Sequence, residues 1–337
     1  MGKGRFSATG KFRSAEITLK QPVTQRVRPR PMQDEIIRRN VSTTKNVPGY
    51  LLEPVDIHEL AYIHNPVDAC NNRRDNKSDV FMVMFVISSP HNLKRRELIR
   101  NSYGNVNVWR SVASKETEVK TVFMLGSTAN ASVQSMIDRE SVLHQDIVQE
   151  DMIDHYQNLT RKTIMGLKWV TNYCPQAKFT MKLDDDVVVN VERILNMLWK
   201  APRQNFTAGQ ALFASPVVRD KKSEFGKFYL PTEFYPESIY PPYLTGQAYI
   251  MSKDLVEATY RTALTTPLFP WEDVFVGICL QKLGVKLSRD AYFVCLHGKN
   301  NVCNDKRENW KSYGVFYDLS EEHMINVWSV FNTVAQG

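Results

Sequence analysis

Three consecutive aspartates, Asp184, Asp185 and Asp186, directly follow a β-rich apolar stretch at residues 178–183. In a strand, residues i and i+2 point the same way, so Asp184 and Asp186 can share one face. Adjacent carboxylates repel one another unless a cation or another positive partner neutralises them. Because Mn²⁺ and Mg²⁺ prefer oxygen ligands and usually also bind phosphates, we predict such a metal at Asp184 and Asp186. An exposed acidic turn is the alternative interpretation.

A second acidic pair, Glu272 and Asp273, follows Trp271 at the start of a predicted helix. Carboxylates at this position stabilise the positive end of a helix, which is the simplest explanation of the pair. Beside a site that binds a metal and a diphosphate, the same pair becomes a candidate for a general base.

Basic residues follow the first predicted strand, and two of them, Arg96 and Arg100, are spaced i,i+4. This spacing places both guanidinium groups on one face of a helix, where they can reach a phosphate. A solvated charged helix is the alternative interpretation.

Predicted strands and helices alternate along the first part of the folded chain. Strands are predicted at 80–88, 121–125, 146–149 and 178–183, and helices at 91–101, 131–143, 159–174 and 191–199. This alternation favours an α/β fold with a largely parallel sheet, in which ligands bind beyond the carboxyl ends of the strands. The three aspartates lie at such an end. In the second half we predict a loop at 229–243, a strand at 245–252 and helices at 253–264, 272–283 and 320–334.

Composition divides the chain of 337 residues into a tail and one folded domain. The net charge of +7 comes from the first 50 residues, which hold 11 Lys and Arg against 3 Asp and Glu. We therefore predict a basic, disordered tail or stem at 1–78 and a folded domain at 79–337. Nucleic-acid binding is not expected, because it requires basic residues on a folded face. No stretch approaches the roughly 18–20 apolar residues of a membrane span.

Another enzyme class also uses an Asp-x-Asp pattern after an apolar strand. Asp184 and Asp186 fit the nucleophile motif of haloacid-dehalogenase-type phosphatases, but that motif normally opens its domain. Here it lies well inside the predicted domain, and no later Gly-Asp cluster supplies further metal ligands. The sequence also contains neither a P-loop nor a Gly-x-Gly-x-x-Gly fingerprint, so neither holds a nucleotide here.

Several blocks in a fixed order resemble the β-1,3-galactosyltransferase family, which also contains β-1,3-N-acetylglucosaminyltransferases. The resemblance spans residues 79–334, and its blocks lie at 96–104, 123–126, 154–163, 182–186, 240–246 and 272–277. It implies a GT-A fold with a Rossmann-like nucleotide-binding half. It also implies a UDP-sugar donor, Mn²⁺ held by the Asp-x-Asp motif, inversion at the anomeric carbon, and a glycan acceptor on a glycoprotein or glycolipid.

Position by position, the resemblance also implies roles for individual residues. Asp273 is the expected catalytic base, with Glu272 as its rival. Asp184 and Asp186 are the expected metal ligands. Trp271 and Gly246 are expected to contact the acceptor. The expected donor-binding residues are Arg96, Arg100, Asp154, Tyr156, Lys162, Lys182, Asp184 and Asp185.

Family members are usually Golgi membrane proteins, so we expect Golgi localisation and membrane association, although no anchor is found in this sequence. The family also implies a disulfide between Cys279 and Cys303, with Cys295 as the alternative partner. Asn-x-Ser/Thr acceptors for N-glycosylation agree with a secretory lumen and occur at Asn40, Asn76, Asn130, Asn158 and Asn205.

The chain departs from the family at the metal site. Tyr317 stands where the family usually has a second metal ligand, a His, and Tyr is a poor Mn²⁺ ligand. Asp318 or His297 are the candidates to replace it. Without a replacement the metal binds more weakly, or the chain is a non-catalytic glycan-binding relative. Leu244 also replaces a frequent Cys, and the donor sugar is left open between galactose, N-acetylgalactosamine and N-acetylglucosamine.

Overall fold

The apolar stretch that begins at Val80 forms a fully buried strand, β2 (Val80–Ile87), at the centre of a seven-stranded sheet. The structure is a computed structural model that describes residues 61–71, 80–113, 117–288, 290, 293–296 and 307–332. The remaining strands are β1 (Tyr62–His64), β3 (Glu118–Ser127), β4 (Ile147–Ile153), β5 (Phe179–Asp184), β6 (Val188–Val189), β7 (Thr207–Leu212), β8 (Tyr243–Ser252), β9 (Val294–Leu296) and β10 (Val315–Tyr317).

Eight α-helices connect or cover these strands within the described residues. They are α1 (Leu93–Arg100), α2 (Val106–Val112), α3 (Ala131–His144), α4 (Leu159–Tyr173), α5 (Val191–Lys200), α6 (Lys253–Ala263), α7 (Glu272–Lys282) and α8 (Glu321–Asn332).

The central sheet has the strand order β1-β4-β3-β2-β5-β8-β7. Strands β4, β3, β2 and β5 are parallel to one another, whereas β1, β8 and β7 run antiparallel to their neighbours. A smaller sheet has the order β6-β10-β9. The predicted α/β fold with a largely parallel sheet is therefore confirmed. Ile87 pairs with Asp184, so the loop after β2 and the aspartates meet at one edge of the sheet.

Helix α4 is deeply buried and packs against the central sheet. Its backbone approaches β2 so closely that a Cβ at Gly166 would lie 2.6 Å from the Phe85 ring. Glycine is therefore required here to bring the helix onto the sheet. This packing carries Thr163, which is fully buried, toward the start of α7.

The longer predicted elements are confirmed, and the missed ones are short. β6, β9 and β10 have two or three residues each, too few for a period to be read. Strand β7 has the sequence Thr-Ala-Gly-Gln-Ala-Leu, which is poor in β-branched and aromatic residues. The seven-residue α2 begins after Asn105, whose side chain accepts a hydrogen bond from Asn107 N.

Residues 61–71, which the sequence places in the tail, belong to the folded unit. Tyr62 in β1 pairs with Glu150 in β4, and a disulfide joins Cys70 to Cys174 at the end of α4. The predicted boundary at residue 79 therefore falls after this segment. The reason is that a three-residue edge strand and one cysteine leave no periodic pattern in the sequence.

The structure does not form the predicted bridge at Cys279. Cys279 carries a free, buried thiol in the structure, which disagrees with that pairing. Cys303 lies outside the described residues, as do His297, Asn40 and Asn76. Among the described helices, none is both long enough and apolar enough to span a bilayer.

Replacing both bridge cysteines, Cys70→Ala with Cys174→Ala, is expected to lower the free energy of unfolding by about 4–5 kcal/mol, because a bridge across a long loop restricts the unfolded chain. The loop spans 104 residues. Urea denaturation under non-reducing conditions measures the change. Cys279→Ala is the control, since it removes a buried thiol that is outside the bridge. Equal stability of the two variants would contradict the bridge.

Candidate functional site

A buried ammonium group, Lys182 Nζ, lies where β5, β8 and α7 meet. It is 2.7 Å from Asp184 Oδ1 and 2.8 Å from Glu272 Oε1, and it donates to the carbonyl oxygen of Gly246. Burial opposes its charge, but Asp184 and Glu272 raise the pKa of Lys182 above its usual value. Lys182, which the sequence assigns to donor binding, therefore joins both predicted acidic motifs.

The middle aspartate of the triplet, Asp185, points into the protein. Its Oδ2 accepts hydrogen bonds from Ser88 Oγ at 2.7 Å and Asn92 Nδ2 at 2.9 Å, and its Oδ1 accepts from Arg95 Nη1 at 3.1 Å. The carboxylate is thus committed to the loop after β2 and to α1, which differs from the donor-binding role predicted for it. The period of two in a strand is the signal that separates Asp185 from its neighbours.

The outer aspartates remain accessible, and about a third of each side chain is exposed in Asp184 and Asp186. Burial raises the pKa of Asp184, with Glu272 adding to the shift and Lys182 opposing it. Burial and Asp185 likewise raise the pKa of Asp186, whose Oδ2 lies 3.9 Å from Arg95 Nη1. These two accessible carboxylates carry net negative charge, and their oxygen atoms are suitable ligands for a divalent cation.

The segment with the unusual tyrosine runs beside this pair. Leu319 N donates to the backbone oxygen of Asp186 at 3.0 Å, and Tyr317 in β10 is half-buried. Asp318 is exposed, and its charge is among the causes that raise the pKa of Asp186. Within the described residues, no cluster of three or more His, Cys, Asp or Glu side chains has metal-binding geometry. The replacement of the family His by Asp318 or His297 therefore stays a prediction.

Glu272 and Asp273 are adjacent but have different environments. Glu272 is buried, and its Oε2 accepts from Thr163 Oγ1 at 3.0 Å and Tyr249 OH at 3.4 Å. Asp273 is half-buried, and its Oδ1 accepts from Val274 N at 2.8 Å. Burial and the neighbouring Glu272 raise the pKa of Asp273 to about 6. Asp273 is therefore the carboxylate of the pair that is suited to exchange a proton near neutral pH.

Asp154 and Lys162 form a second buried ion pair, which lies near the carboxyl ends of the parallel strands. Lys162 Nζ lies 2.8 Å from Asp154 Oδ2 and donates to the carbonyl oxygen of Ser88 at 2.5 Å. Asp154 also accepts from Gly126 N at 2.8 Å. Tyr156 is mostly exposed, and its pKa is raised by burial and by the charges of Asp273, Asp184 and Glu272. Its donor-binding role stays a prediction.

Arg96 and Arg100 do not line this cleft. Arg96 is fully buried and binds Glu140 of α3 through two hydrogen bonds of 2.8 and 2.7 Å. Arg100 contacts Glu140 at 2.6 Å and Asp146 at 2.8 Å through two nitrogens. The i,i+4 spacing does place both on one helical face, but that face packs against α3. The predicted donor-binding roles are therefore replaced by a structural one, whereas the unpredicted Arg95 reaches the aspartates.

Trp271 and Gly246, the predicted acceptor residues, flank Asp273 differently. Trp271 packs edge to face with Phe228 at 5.5 Å between ring centroids, next to the base candidate. A Cβ at Gly246 would lie 2.7 Å from Glu272 Oε1. Glycine therefore permits the approach of β8 to α7, and its carbonyl holds Lys182, which differs from the predicted acceptor contact.

Three of the predicted glycosylation sites fall on described residues. Asn130 and Asn205 are exposed, and the Asn130 side chain accepts hydrogen bonds from Ser132 N and Val133 N at the start of α3. Asn158 is half-buried, and its Nδ2 donates to the carbonyl oxygen of Ile153 at 2.8 Å. Glycan attachment at these sites stays a prediction.

The sequence matches the galactosyltransferase family over residues 94–291. It is 30% identical over 316 residues to beta-1,3-galactosyltransferase 1 of Mus musculus, with 93% of this chain and 90% of the relative covered. It is 38% identical over 209 residues to beta-1,3-galactosyltransferase 5 of Pan troglodytes, covering 61% and 67%. Among solved structures, a glycosyltransferase involved in the glycosylation of the major capsid of PBCV-1 aligns at 12% identity and a TM-score of 0.39, over 73% of this chain and 100% of that chain.

These comparisons define the chain as a glycosyltransferase, and its α/β fold with a largely parallel central sheet agrees with the fold class expected from the resemblance. More particularly, the chain belongs to the galactosyltransferase family. The phosphatase and non-catalytic hypotheses find no support.

Arg96→Met is expected to lower the free energy of unfolding by about 3–5 kcal/mol, because it leaves Glu140 with a buried, under-compensated charge. Affinity for UDP should stay unchanged in the folded variant, because Arg96 is fully buried and cannot touch a ligand; its contacts with Ser88 Oγ and the Ser89 carbonyl oxygen only support the loop after β2. Chemical denaturation and calorimetric titration with UDP measure the two effects. Lys94→Met is the control, since Lys94 lies in the same helix, α1, but forms an exposed ion pair with Glu321. A large loss of UDP affinity at unchanged stability would restore the donor-binding role.

Proposed function

We propose that this glycosyltransferase transfers a hexose from a UDP-sugar to a glycan hydroxyl with inversion at the anomeric carbon, forming a β-1,3 linkage. One observation carries the proposal: the accessible carboxylates Asp184 and Asp186 lie at the end of β5, whereas Asp273 lies on a separate element, in the first turn of α7. Inversion requires this separation, because the base and the leaving group lie on opposite faces of the transferred sugar.

In the proposed reaction, the acceptor oxygen attacks the anomeric carbon while the bond from that carbon to the UDP oxygen breaks. Asp273 takes the proton of the acceptor hydroxyl as the new glycosidic bond forms. A sugar hydroxyl is a weak nucleophile at neutral pH, and a base with a pKa near 6 is well matched to this task. UDP leaves with the electron pair of the broken bond.

The carboxylates of Asp184 and Asp186 would hold Mn²⁺ or Mg²⁺. When bound, the metal stabilises the negative charge that develops on the leaving diphosphate. Arg95 lies close to both Asp185 and Asp186 and adds positive charge on the same side. Lys182 keeps Asp184 in place through its 2.7 Å contact.

For the two substrates, we propose galactose as the donor sugar, since the relatives at 30% and 38% identity are named galactosyltransferases. N-acetylhexosamine is the other candidate. Tyr156 is positioned to contact the donor, and the Trp271–Phe228 pair offers an aromatic edge beside Asp273 for an acceptor sugar. The acceptor is a glycan of a glycoprotein or glycolipid.

We further propose a place in the Golgi lumen, with membrane association. The Cys70–Cys174 disulfide supports an oxidising compartment, because such bridges persist mainly in secretory environments. The exposed Asn130 and Asn205 acceptors agree with that setting.

The function is tested by incubating the purified protein with a panel of UDP-hexoses and glycan acceptors, with Mn²⁺ and with a chelator. Wild-type protein is expected to transfer galactose and to lose transfer when the metal is removed. Asp273→Asn should bind UDP normally and yet transfer roughly 10²–10⁴-fold more slowly, because it lacks the base. Near-normal transfer by Asp273→Asn would contradict its role.

Two further variants separate the metal from the base. Asp186→Asn is expected to lose both transfer and the metal-dependent part of UDP binding. Asp318→Asn tests the predicted replacement ligand, and unchanged metal-dependent UDP binding in this variant would leave Asp184 and Asp186 as the ligand pair. If Asp318→Asn reproduced the loss seen with Asp186→Asn, Asp318 would join the proposed ligands.

A further inference from the structure

We propose that Lys182 and Glu272 form a positioning pair, which holds the base helix α7 in a fixed place relative to the donor strand β5. The inference rests on the proposed function, and it assigns Glu272 a role distinct from that of Asp273. Glu272 acts through its neighbour and not on the substrate.

The Lys182 side chain supplies the first half of the pair. It is only 2% exposed, and its ammonium group has three oxygen neighbours that come from three elements. Asp184 belongs to the donor strand, Gly246 to β8, and Glu272 to the first turn of α7. A displacement of α7 would therefore remove one of the neighbours of a buried charge, which is costly.

Glu272 supplies the second half: its Oε2 is hydrogen-bonded, whereas its buried Oε1 makes no hydrogen bond and is balanced by the charge of Lys182 alone. Oε1 lies 2.8 Å from Lys182 Nζ, and Oε2 accepts from Thr163 and Tyr249. Its side chain is 8% exposed, so an acceptor hydroxyl has little access to it. Asp273, by contrast, makes no side-chain ion pair within the described part of the chain. Glu272 thus holds the helix in place, whereas Asp273 is left to accept the proton.

Gly246 shows how tightly the pair is enclosed. A Cβ at this position would lie 2.7 Å from Glu272 Oε1 and 3.6 Å from the Cβ of Asp273. The backbone of strand β8 therefore lies directly against the Glu272 carboxylate and close to the Cβ of Asp273, which leaves the start of α7 little room to move. Misplacement of a catalytic group by about 1 Å can cost roughly 100-fold in rate.

The pair also influences the charge of the base. Glu272 raises the pKa of Asp273 and Lys182 lowers it. Removal of the Glu272 charge should therefore let Asp273 lose its proton at lower pH. The charged and titratable groups that face Asp273 are Glu272 of α7, Lys182 of β5, Tyr243 and Tyr249 of β8, and Tyr156 before α4.

Glu272→Gln is the decisive variant, because it keeps the shape and the acceptor oxygen of the side chain but removes its charge. We expect kcat to fall about 10–100-fold, with the affinity for UDP unchanged within about twofold. In the wild type we expect the acidic limb of the profile of kcat/KM against pH to follow the pKa of Asp273, about 6, and in Glu272→Gln we expect this limb to move to lower pH. Enzyme kinetics between pH 5 and 8 measure both effects.

Thr163→Val tests the position of Glu272 without altering any charge. It removes the hydrogen bond to Oε2 and should lower kcat several-fold while the acidic limb stays in place. Glu150→Gln is the control for the loss of a buried ion pair, since Glu150 Oε1 lies 2.8 Å from Lys168 Nζ and the side chain is even more deeply buried than that of Glu272. Its denaturation midpoint should fall, whereas kcat and the pH profile should not change.

Failure of the inference and failure of the proposed function give different results. Wild-type kcat and an unmoved acidic limb in Glu272→Gln, with Asp273→Asn inactive, would overturn the positioning pair alone. Active Asp273→Asn with Glu272→Gln inactive at every pH would make Glu272 the base, and it would overturn both. Loss of kcat in Glu150→Gln equal to that in Glu272→Gln would reduce the pair to a general effect on stability.

Discussion

A lysine that is buried in a protein keeps its charge only when oxygen atoms surround it, and this constraint organises the site around Lys182. Its three oxygen neighbours come from β5, β8 and α7. The antiparallel β8 must therefore lie between the donor strand and the base helix. The glycine at 246 and the acidic start of α7 follow from that arrangement, because any larger residue at 246 would meet Glu272.

Two other buried contacts, those of Asp185 and of the Arg96–Glu140 pair, hold the elements around the site in place. Asp185 ties the aspartate turn to the loop after β2 and to α1. Arg96 and Glu140 then fix α1 to α3. The accessible pair, Asp184 and Asp186, is thus presented by groups that are themselves out of reach of a ligand. Preorganisation of this kind lets a site stabilise developing charge without moving at the moment of reaction.

The pattern of the sequence was sufficient for the elements that carry the chemistry but not for their contacts. Strand β5 lies in a β-rich stretch and α7 has an apolar middle after an acidic first turn, so the positions of Asp184 and Asp273 in the fold could be predicted. The partner of Arg96 could not, since Glu140 lies 44 residues away and only packing brings them together. The same holds for Cys70, whose partner is 104 residues distant.

In the proposed reaction, the base and the leaving group lie on opposite faces of the transferred sugar. The anomeric configuration of the first-formed product tests this claim most directly. Proton NMR during transfer from UDP-α-galactose should show a β-linked product from the first time point. An α-linked initial product would contradict the account, because it requires the acceptor to attack from the side of the departing UDP.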